Sequence, residues 1–481
     1  MSVEDASGLP VAAPRMDRSP APPASPSPPD GHSLFVRRVS YASTEVAGQL
    51  IFCVISFYLL KFYTDVYGIS AIAAGSILLL ARCVDAIDAP VWGIVFDKTH
   101  SRWGKSRPWF LWLCVPFAAF GVMTFMTPSL GSTAKIVYAA STYIICSILY
   151  TGINTPITSI LSALTPDSHE RVTLTTYRMF GSKLGVLIVN LTLLKLVELL
   201  GRGNDRKGFM LVMPIYAIGT VLLYLFAFRN LKEVVQEDKE RLSIKESWSA
   251  LKGNAPWLII FASSLFFWIA FIARISTAPY FFEYVLHRKD LISIANSLDF
   301  ISLGTITFLP LFCHWTSKRN VWGLALLGSV LAQVILYWGT RSGSELIVMA
   351  GWIAGFLASG VAMALPFSVL SDSVDYGEWK SGIRAVGLLT AIGAAFCLKA
   401  GSGLGGALPA WILSRYSYIP NVEQSARSLF GIELSFIWLP ALCYALAIIP
   451  VLFYLRYERL EPQIRLDLEQ RRALAAMSSG T

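Results

Sequence analysis

The sequence predicts an all-α polytopic membrane protein with twelve transmembrane helices in two six-helix bundles, and three observations support this fold class. Hydrophobic residues make up 54% of the 481 residues and charged residues only 15%, whereas soluble domains carry about 25% charged residues. Apolar runs of the length that a bilayer requires recur along the chain. The longest internal polar stretch, residues 229–252, divides these runs into two sets of six.

The twelve predicted spans follow from the thickness of a bilayer core, about 30 Å, which a helix of roughly 20 apolar residues crosses. They are 44–66, 72–97, 108–128, 136–162, 175–200, 209–229, 256–286, 292–315, 320–340, 346–374, 384–414 and 433–456. Two six-helix bundles are typical of a transporter that holds its site between them, near the bilayer midplane. We therefore expect two pseudo-symmetric halves.

The segments outside the spans complete the predicted domain organisation. Residues 1–34 are rich in Pro, Ser and Ala and predict a disordered cytoplasmic tail, because they cannot bury enough apolar surface to offset the entropy of ordering. The other predicted units are an N-terminal bundle (35–229), a cytoplasmic central loop (230–255), a C-terminal bundle (256–457) and a cytoplasmic tail (458–481). The end of the chain is typical of a short amphipathic helix, too small for a signalling domain.

Lys and Arg residues indicate how the chain is oriented in the membrane. Most of them lie in the tails and in the loops that follow the even-numbered spans, and basic loops stay on the cytoplasmic side. We therefore expect a multi-pass protein of the plasma (inner) membrane with both termini in the cytoplasm. The net charge of +9 follows from this distribution and does not predict binding to nucleic acid.

The sequence carries no pattern typical of an enzyme or a resident metal. Its seven cysteines lie singly, without CxxC or Cys/His ligand spacing, so we expect neither a disulfide framework nor a zinc site. No GxSxG, P-loop or HExxH pattern occurs. We therefore expect a protein that is not an enzyme and has no cofactor. We also expect a monomer, with a small solute, a coupling cation and the lipid bilayer as partners.

Two carboxylates in the second predicted span are the first candidates for a functional site. Asp85 and Asp88 are three residues apart and therefore share a helix face. An ionised carboxylate is unfavourable in hydrocarbon, so both should face the bundle interior and meet a cation, a proton or an Arg. The alternative interpretation is a pair between Arg82 and Asp85 that merely locks helices together.

Four segments resemble one family of transporters. They are FYTDVYGIS (62–70), ARCVDAIDAPVWGIVFDKTHSRWGKSRPW (81–109), SDSVDYGEWKSGIRAVG (371–387) and SYIPNVEQSARSLFGI (417–432). In this order they resemble the glycoside–pentoside–hexuronide:cation symporters of the major facilitator superfamily. The resemblance implies the major facilitator fold and import of a sugar or glycoside by cation-coupled symport with alternating access.

The resemblance also implies roles for residues at the cation site. Asp85 matches a family carboxylate that binds the coupling cation, and Thr151 matches a hydroxyl at the same site. Ala89 stands where the family carries a second acid, with Asp88 one position before it. A single carboxylate suits a proton better than Na⁺, and two close carboxylates also favour protonation. We therefore favour H⁺ as the coupling ion, with Na⁺ and uncoupled transport as alternatives.

Substrate residues depart from the family pattern. Gln49 and Asn154 stand where the family carries two Asp residues that bind sugar hydroxyls, and amides can also donate to and accept from hydroxyls. Lys399 matches a family Lys near both sites, and Arg274 is an additional cation within an apolar span. Facing the cavity, these two cations could bind an anionic hexuronide-type sugar. Alternatively, Arg274 pairs with Glu283 or extends to the outer surface.

Charged residues near the cytoplasmic ends of two spans predict a gate. The resemblance implies that loop charges after the second span bridge to other helix ends, and that an equivalent cluster follows the tenth span. The residues are Asp97 and Arg102 in the first half, and Asp372, Asp375, Glu378 and Arg384 in the second. The alternative is a set of solvated loop charges that each contribute little.

Two other functions remain compatible with the sequence. A lysolipid transporter of the same family would have an apolar, laterally open cavity. A non-transporting sugar sensor would keep the fold and lose the ion site, as the alanine at position 89 would allow. Cation-coupled import of a sugar is the function that the motifs favour.

Overall fold

The computed structural model describes residues 31–99, 101–165, 168–233, 253–382 and 396–479, and throughout these ranges the chain forms helices joined by turns and loops. A π-helical turn (Phe62–Val66) extends the first helix. The helices of the first half are α1 (Gly31–Lys61), α2 (Ala71–Asp97), α3 (Arg107–Thr124), α4 (Ser132–Leu164), α5 (Ser168–Gly201) and α6 (Asp205–Asn230).

The second half contains more interrupted helices. They are α7 (Ala255–Tyr280), α8 (Leu291–Ser297), α9 (Ser302–Thr307), α10 (Leu309–Trp315), α11 (Lys318–Ser342), α12 (Glu345–Ser381), α13 (Cys397–Arg415), α14 (Ala426–Glu433), α15 (Leu439–Phe453) and α16 (Leu455–Ser479). A π-helical turn (Phe281–Val285) extends α7, and a 3₁₀ turn (Leu298–Ile301) separates α8 from α9. Another π-helical turn (Leu434–Trp438) separates α14 from α15.

Local sequence signals explain several of the helix ends. The side chains of Asn204, Asn254 and Ser317 each accept a hydrogen bond from the backbone N–H three residues later, which caps the N-termini of α6, α7 and α11. Gly343 and Gly382 follow α11 and α12 with φ angles of 64° and 71°. Glycine adopts this left-handed conformation without a steric penalty, so it ends both helices.

The helices are long and apolar enough to cross a membrane at nine places in the described part of the chain. The other three predicted spans fall on α2, on the series α8 to α10, and on α13. Residues 384–395 of the eleventh predicted span lie outside the described residues. The chain is therefore a multi-pass membrane protein, and the count of twelve spans stays a prediction.

Each half packs mainly against itself. In the first half, α1 lies against α5 and α6, and α4 lies against both α2 and α3. In the second half, α7 is central and contacts α12, α13 and α15, while α11 packs along α12. Among the described residues, the two halves meet mainly through the helix pairs α2 with α13, α1 with α7, and α5 with α8.

The α2–α13 contact between the halves depends on small residues. A Cβ atom added at Gly75 of α2 would lie 2.6 Å from the Cβ of Ala410 and 3.1 Å from the carbonyl oxygen of Ala407, both on α13. Small residues allow helix backbones to approach closely in a membrane. This glycine therefore permits the two halves to meet directly.

Asp65, at the end of the first helix, joins both halves at the end of the molecule that we predict to be outside. Its carboxylate accepts hydrogen bonds from the hydroxyls of Tyr418 (2.9 Å) and Tyr284 (3.0 Å) of the second half. Lys61 donates to the same carboxylate at 2.7 Å and pairs with Glu283 at 2.6 Å. These bonds join the two halves at this end.

The tails differ in part from the predicted domain boundaries. Residues 1–30 lie outside the described residues, and α1 begins at Gly31, within the segment predicted to be disordered. Most of the predicted central loop, residues 234–252, is also outside them. The C-terminal segment forms α16, which packs on α12, where the indole of Trp379 donates to Asp467 at 2.8 Å.

Candidate substrate and cation site

A cavity of about 640 Å³ lies between the two halves. Small-molecule sites typically occupy about 300–1,000 Å³, so this volume suits a small solute. Its wall includes both polar and aromatic side chains from helices of both halves. Among them are Gln49, Phe52, Arg82, Asp85, Tyr150, Thr151, Asn154, Ser182, Lys183, Trp268, Phe271, Asp299 and Lys399.

Asp85 lies on the cavity wall in an ion pair. One carboxylate oxygen accepts a hydrogen bond from Arg82 at 2.6 Å, and the other accepts from Ser147 of α4 at 2.8 Å. Arg82 also donates to the hydroxyl of Tyr143 at 2.5 Å. The pair with Arg82, the alternative interpretation of the sequence, is thus present. In this conformation a guanidinium stands where we predicted a coupling cation.

Asp88, one helical turn later, lies in a different environment. Its side chain is buried, and neither carboxylate oxygen has a hydrogen-bond partner of acceptable geometry within the described residues. Lys399 of α13 and Thr151 of α4 are polar groups beside it, and the Lys399 ammonium is 3.6 Å away. Lys399 donates instead to the backbone oxygen of Asp85 at 2.8 Å. An acid, a hydroxyl and an ammonium therefore meet where the two halves touch.

The other predicted polar residues lie along the first-half wall of the cavity. The hydroxyl of Thr151 donates to the Ser147 carbonyl at 3.2 Å, within α4. The amide of Gln49 donates to the hydroxyl of Ser182 at 3.0 Å. The amide oxygen of Asn154 accepts from Arg178 at 3.4 Å. Thr151, Gln49 and Asn154 all line the cavity, and their roles in binding the cation and the sugar hydroxyls remain predictions.

Comparison with known families identifies the chain. A family model described as "MFS/sugar transport protein" matches residues 40–456. The chain belongs to this family. The match covers both halves and every helix that contributes to the cavity wall.

Individual relatives agree with the family. The chain is 40% identical over 440 residues to an isoprimeverose transporter of Lactiplantibacillus pentosus, covering 91% of both chains. It is 30% identical over 415 residues to a putative glycoside/cation symporter of Escherichia coli, covering 85% of this chain and 89% of the relative. A solved bacterial homologue of the human lysosomal transporter Spinster superposes with a TM-score of 0.66 at 13% identity, covering 90% and 98% of the two chains.

The comparisons confirm the predicted glycoside–pentoside–hexuronide symporter family within the major facilitator superfamily, together with its helical fold. The chain is accordingly a membrane transporter of the sugar symport class and not an enzyme. Symport requires a small-molecule substrate and a coupling cation, and the cavity with its buried carboxylates is the place in the structure where both could bind.

Arg274 is not among the residues that line the cavity of this symporter in the described conformation, so the structure does not support its predicted contact with substrate. Its guanidinium is 1% exposed and packs within the second half, 4.2 Å from the ring centre of Trp352 and 5.1 Å from that of Phe356. It donates to the Trp352 carbonyl at 2.8 Å. The suggested pair with Glu283 is also replaced, because that carboxylate binds Lys61.

Two charged pairs at or near the cavity were not predicted. Lys183 of α5 binds Asp299 at 2.7 Å, and both side chains line the cavity. Arg178 of α5 binds Glu45 of α1 at 2.6 Å. All four residues lie within the predicted spans, where charged residues are rare and typically functional. The same rule that singled out Asp85 in the sequence could therefore have singled out these four residues.

The predicted gate residues are only partly described. The side chain of Asp97 and all of Arg384 lie outside the described residues, while Arg102 stacks on Trp103 with 4.4 Å between guanidinium and ring centre. Asp372 binds Lys318 at 2.7 Å, and Lys318 also binds Glu461 at 3.2 Å. Asp375 and Glu378 follow Asp372 on the same helix. The pairs of Lys318 connect helices of the second half, and the bridging role of this cluster remains a prediction.

Proposed function

We propose that the protein imports an uncharged sugar or glycoside together with a proton, by alternating access. Asp88 is the observation that carries this proposal. A buried carboxylate that makes no hydrogen bond of good geometry within the described residues is unfavourable when ionised, and a proton removes its charge. Because Lys399 approaches Asp88 across the contact between the halves, protonation also removes an attraction that holds the halves together at this point.

The ammonium of Lys399 favours a proton over Na⁺. A bound Na⁺ would lie close to a group of the same charge, 3.6 Å from the carboxylate it would occupy. A proton needs no further oxygen ligands, whereas Na⁺ needs several. The remaining candidate, Asp85, already binds Arg82 and Ser147. Proton coupling through Asp88 is therefore the mechanism that this arrangement supports best.

Charge pairing around the cavity favours an uncharged substrate. Its three cations each face a carboxylate, in the pairs Arg82–Asp85, Lys183–Asp299 and Lys399–Asp88. With Arg274 directed away from the cavity, no excess positive charge remains among these residues to bind a hexuronide. Aromatic rings beside amides and hydroxyls suit a neutral sugar, which presents both apolar faces and hydroxyl groups. The name of the isoprimeverose transporter, the relative with 40% identity, agrees with this substrate class.

The two ends of the cavity suggest the direction of access. The Asp65 bonds join the halves at one end of the molecule, and we propose that they close the cavity there, that this end faces outside and that both termini face the cytoplasm. The described conformation is then closed to the exterior. Cysteine labelling tests the orientation. A Cys at Leu130, in the α3–α4 connection, should react with an impermeant maleimide in intact cells, and one at Leu466 of α16 should not. The opposite pattern would reverse the proposal.

Uptake into proteoliposomes tests substrate and ion together. We expect accumulation of isoprimeverose or another neutral glycoside under an inward proton gradient, with little response to a Na⁺ gradient and no uptake of glucuronides. Lysophospholipid is included as the probe for the alternative lipid function. Accumulation under Na⁺ alone would overturn the assigned ion. Transport of glucuronide or lysophospholipid in place of neutral sugar would overturn the assigned substrate, and sugar binding without uptake would indicate a sensor.

A further inference from the structure

We propose that Lys183 and Asp299 form a sugar-hydroxyl binding site that spans the two halves, an inference that rests on the sugar transport proposed above. Lys183 belongs to α5 of the first half, and Asp299 belongs to the 3₁₀ turn between α8 and α9 of the second half. Their ammonium and carboxylate are 2.7 Å apart, and both side chains lie on the cavity wall. A molecule in the cavity can therefore reach one charged group of each half.

The pair has unused hydrogen-bonding capacity. An ammonium carries three N–H donors, and a carboxylate accepts about four hydrogen bonds. Within the described residues, the Lys183 and Asp299 side chains make one hydrogen bond, to each other. Their side chains are 14% and 9% exposed, and the cavity provides this exposure. A sugar with adjacent hydroxyls can donate to Asp299 and accept from Lys183 without breaking the pair.

Neighbouring groups extend this site along the cavity wall. Ser182 precedes Lys183 on α5, and its hydroxyl accepts a hydrogen bond from Gln49 of α1 at 3.0 Å. Gln49, Ser182, Lys183 and Asp299 all line the cavity. They offer an amide, a hydroxyl, an ammonium and a carboxylate in one continuous polar strip. Such a strip suits a polyhydroxylated solute better than an apolar chain.

The position of the pair links substrate binding to the contact between the halves. Two helical turns along α5, the amide of Asn190 donates to the Asn296 carbonyl of α8 at 3.2 Å, a rise of about 10 Å from Lys183. Polar groups of the two halves thus meet at two places here. The bond between Asn190 and Asn296 is fully buried, and the bond between Lys183 and Asp299 is exposed to the cavity. Sugar bound at Lys183 and Asp299 would strengthen the second contact, so substrate would favour the conformation in which these helices meet.

Fold stability alone does not require this pair. Replacing buried ion pairs by apolar residues of similar volume is often neutral or stabilising, and a pair between moving halves must separate or shift during transport. The chain also contains a matched control. Lys289 and Asp205 form another Lys–Asp pair between the halves, 3.4 Å apart, but their side chains are about half exposed at the outer end.

The experiment measures sugar affinity in purified full-length protein by titration calorimetry, with isoprimeverose as the probe. We expect Asp299→Asn and Lys183→Gln each to weaken binding at least about tenfold, because each removes charge-assisted hydrogen bonds to the sugar. The control variants Asp205→Asn and Lys289→Gln should bind as the unchanged protein does. Wild-type affinity in folded Asp299→Asn and Lys183→Gln would overturn the inference while leaving sugar transport intact.

Two further variants keep the inference testable if a single substitution prevents folding. The exchange Lys183→Asp with Asp299→Lys keeps an ion pair but swaps donor and acceptor, so we expect a folded protein with at least about tenfold weaker binding. Asp299→Glu keeps the acid and should bind with intermediate affinity. Wild-type affinity in the exchanged variant would overturn the site. If unchanged protein transports and binds no sugar at all, the proposed function itself fails, and the inference fails with it.

Discussion

Lys399 and Arg274 look alike in the sequence, since each is a single cation within an apolar span of the second half, yet they lie in different regions of the molecule. Lys399 reaches across the α2–α13 contact between the halves, where it binds the Asp85 carbonyl and approaches Asp88. Arg274 lies inside the second half, between α7 and α12, where it binds the Trp352 carbonyl and two aromatic rings. Lys399 thus faces a carboxylate at the contact that we propose to move during transport, whereas Arg274 lies within a half that we expect to stay rigid.

The difference shows that a charge in a membrane helix has two ways to be stabilised. Lys399 has an ionisable partner, so its interaction changes when that partner gains or loses a proton. Arg274 is held by a backbone carbonyl and by ring faces, beside the phenol of Tyr444, and none of these groups changes its charge near neutral pH. Gly355 makes room for this packing, because a Cβ atom there would collide with the guanidinium. We therefore expect transport coupling to depend on Lys399 and stability to depend on Arg274.

The largest expected effect concerns the acid beside Lys399. Asp88→Asn cannot gain or lose a proton, so proton-driven accumulation of sugar should fall about a hundredfold or more, which corresponds to about 2.7 kcal/mol. Sugar exchange across proteoliposomes with equal pH on both sides should persist, because exchange needs no net proton movement. Asp290→Asn, at an exposed loop acid, is the control. Continued accumulation by the Asp88 variant would remove this residue from the coupling mechanism.

The second-largest expected effect concerns Arg274, the cation inside the second half. Arg274→Gln removes a charged hydrogen bond and two cation–ring contacts, so it should destabilise the folded protein by about 2 kcal/mol. Thermal unfolding in detergent would detect this loss, and Arg274→Lys should recover part of it because the charge is retained. The sugar KM of the folded variant should not change. A raised KM with unaltered thermal stability would place Arg274 at the substrate after all.

The sequence could predict which spans carry charges but not which way each charge points. On α7 the cavity is lined by Trp268, Phe271 and Ile275, a stripe at helical spacing. Arg274 precedes Ile275 by one residue and therefore points about 100° away from that stripe. On α13, Lys399 shares its stripe with Ser402 and Gly406, which also line the cavity. Arg274 also has small or polar neighbours at helical spacing, at Ala270, Thr277 and Ala278, so this pattern did not distinguish the two cations.

Other features depended on contacts between distant parts of the chain. The family resemblance predicted the helical fold and singled out Asp85, Thr151 and Asn154. In the structure these three residues lie on one wall of the cavity. The sequence did not predict the break at Leu298–Ile301, which carries Asp299 in the described structure. It offered the Arg82–Asp85 pair only as an alternative, and the structure shows this pair. Such pairings depend on the rotation and depth of neighbouring helices, which composition and periodicity within one helix do not determine.

The third-largest expected effect concerns Lys399, the cation at the contact between the halves. Lys399→Gln keeps a hydrogen-bond donor for the Asp85 carbonyl but removes the charge beside Asp88, so the maximal rate of proton-driven uptake should fall about tenfold, or about 1.4 kcal/mol. Lys399→Arg should restore part of this rate. Lys195→Gln, elsewhere on α5, serves as a control for general loss of a membrane lysine. An unchanged rate in Lys399→Gln would show that the interface works without this charge.

The smallest expected effect uses glycines to separate the two kinds of interface. Gly75→Ala inserts a methyl group between the halves, 2.6 Å from the Cβ of Ala410, and should shift the conformational equilibrium about fivefold, or roughly 1 kcal/mol, toward separation of this contact. Spin labels at Leu130 and Ile419, with Cys83 replaced by Ser, would report a longer distance across the outer end. Gly351→Ala inserts its methyl within the second half, 3.0 Å from the Leu336 nitrogen, and should lower thermal stability without that shift. If both variants change only stability, the α2–α13 contact is as static as the surroundings of Arg274, and the distinction between the two cations fails.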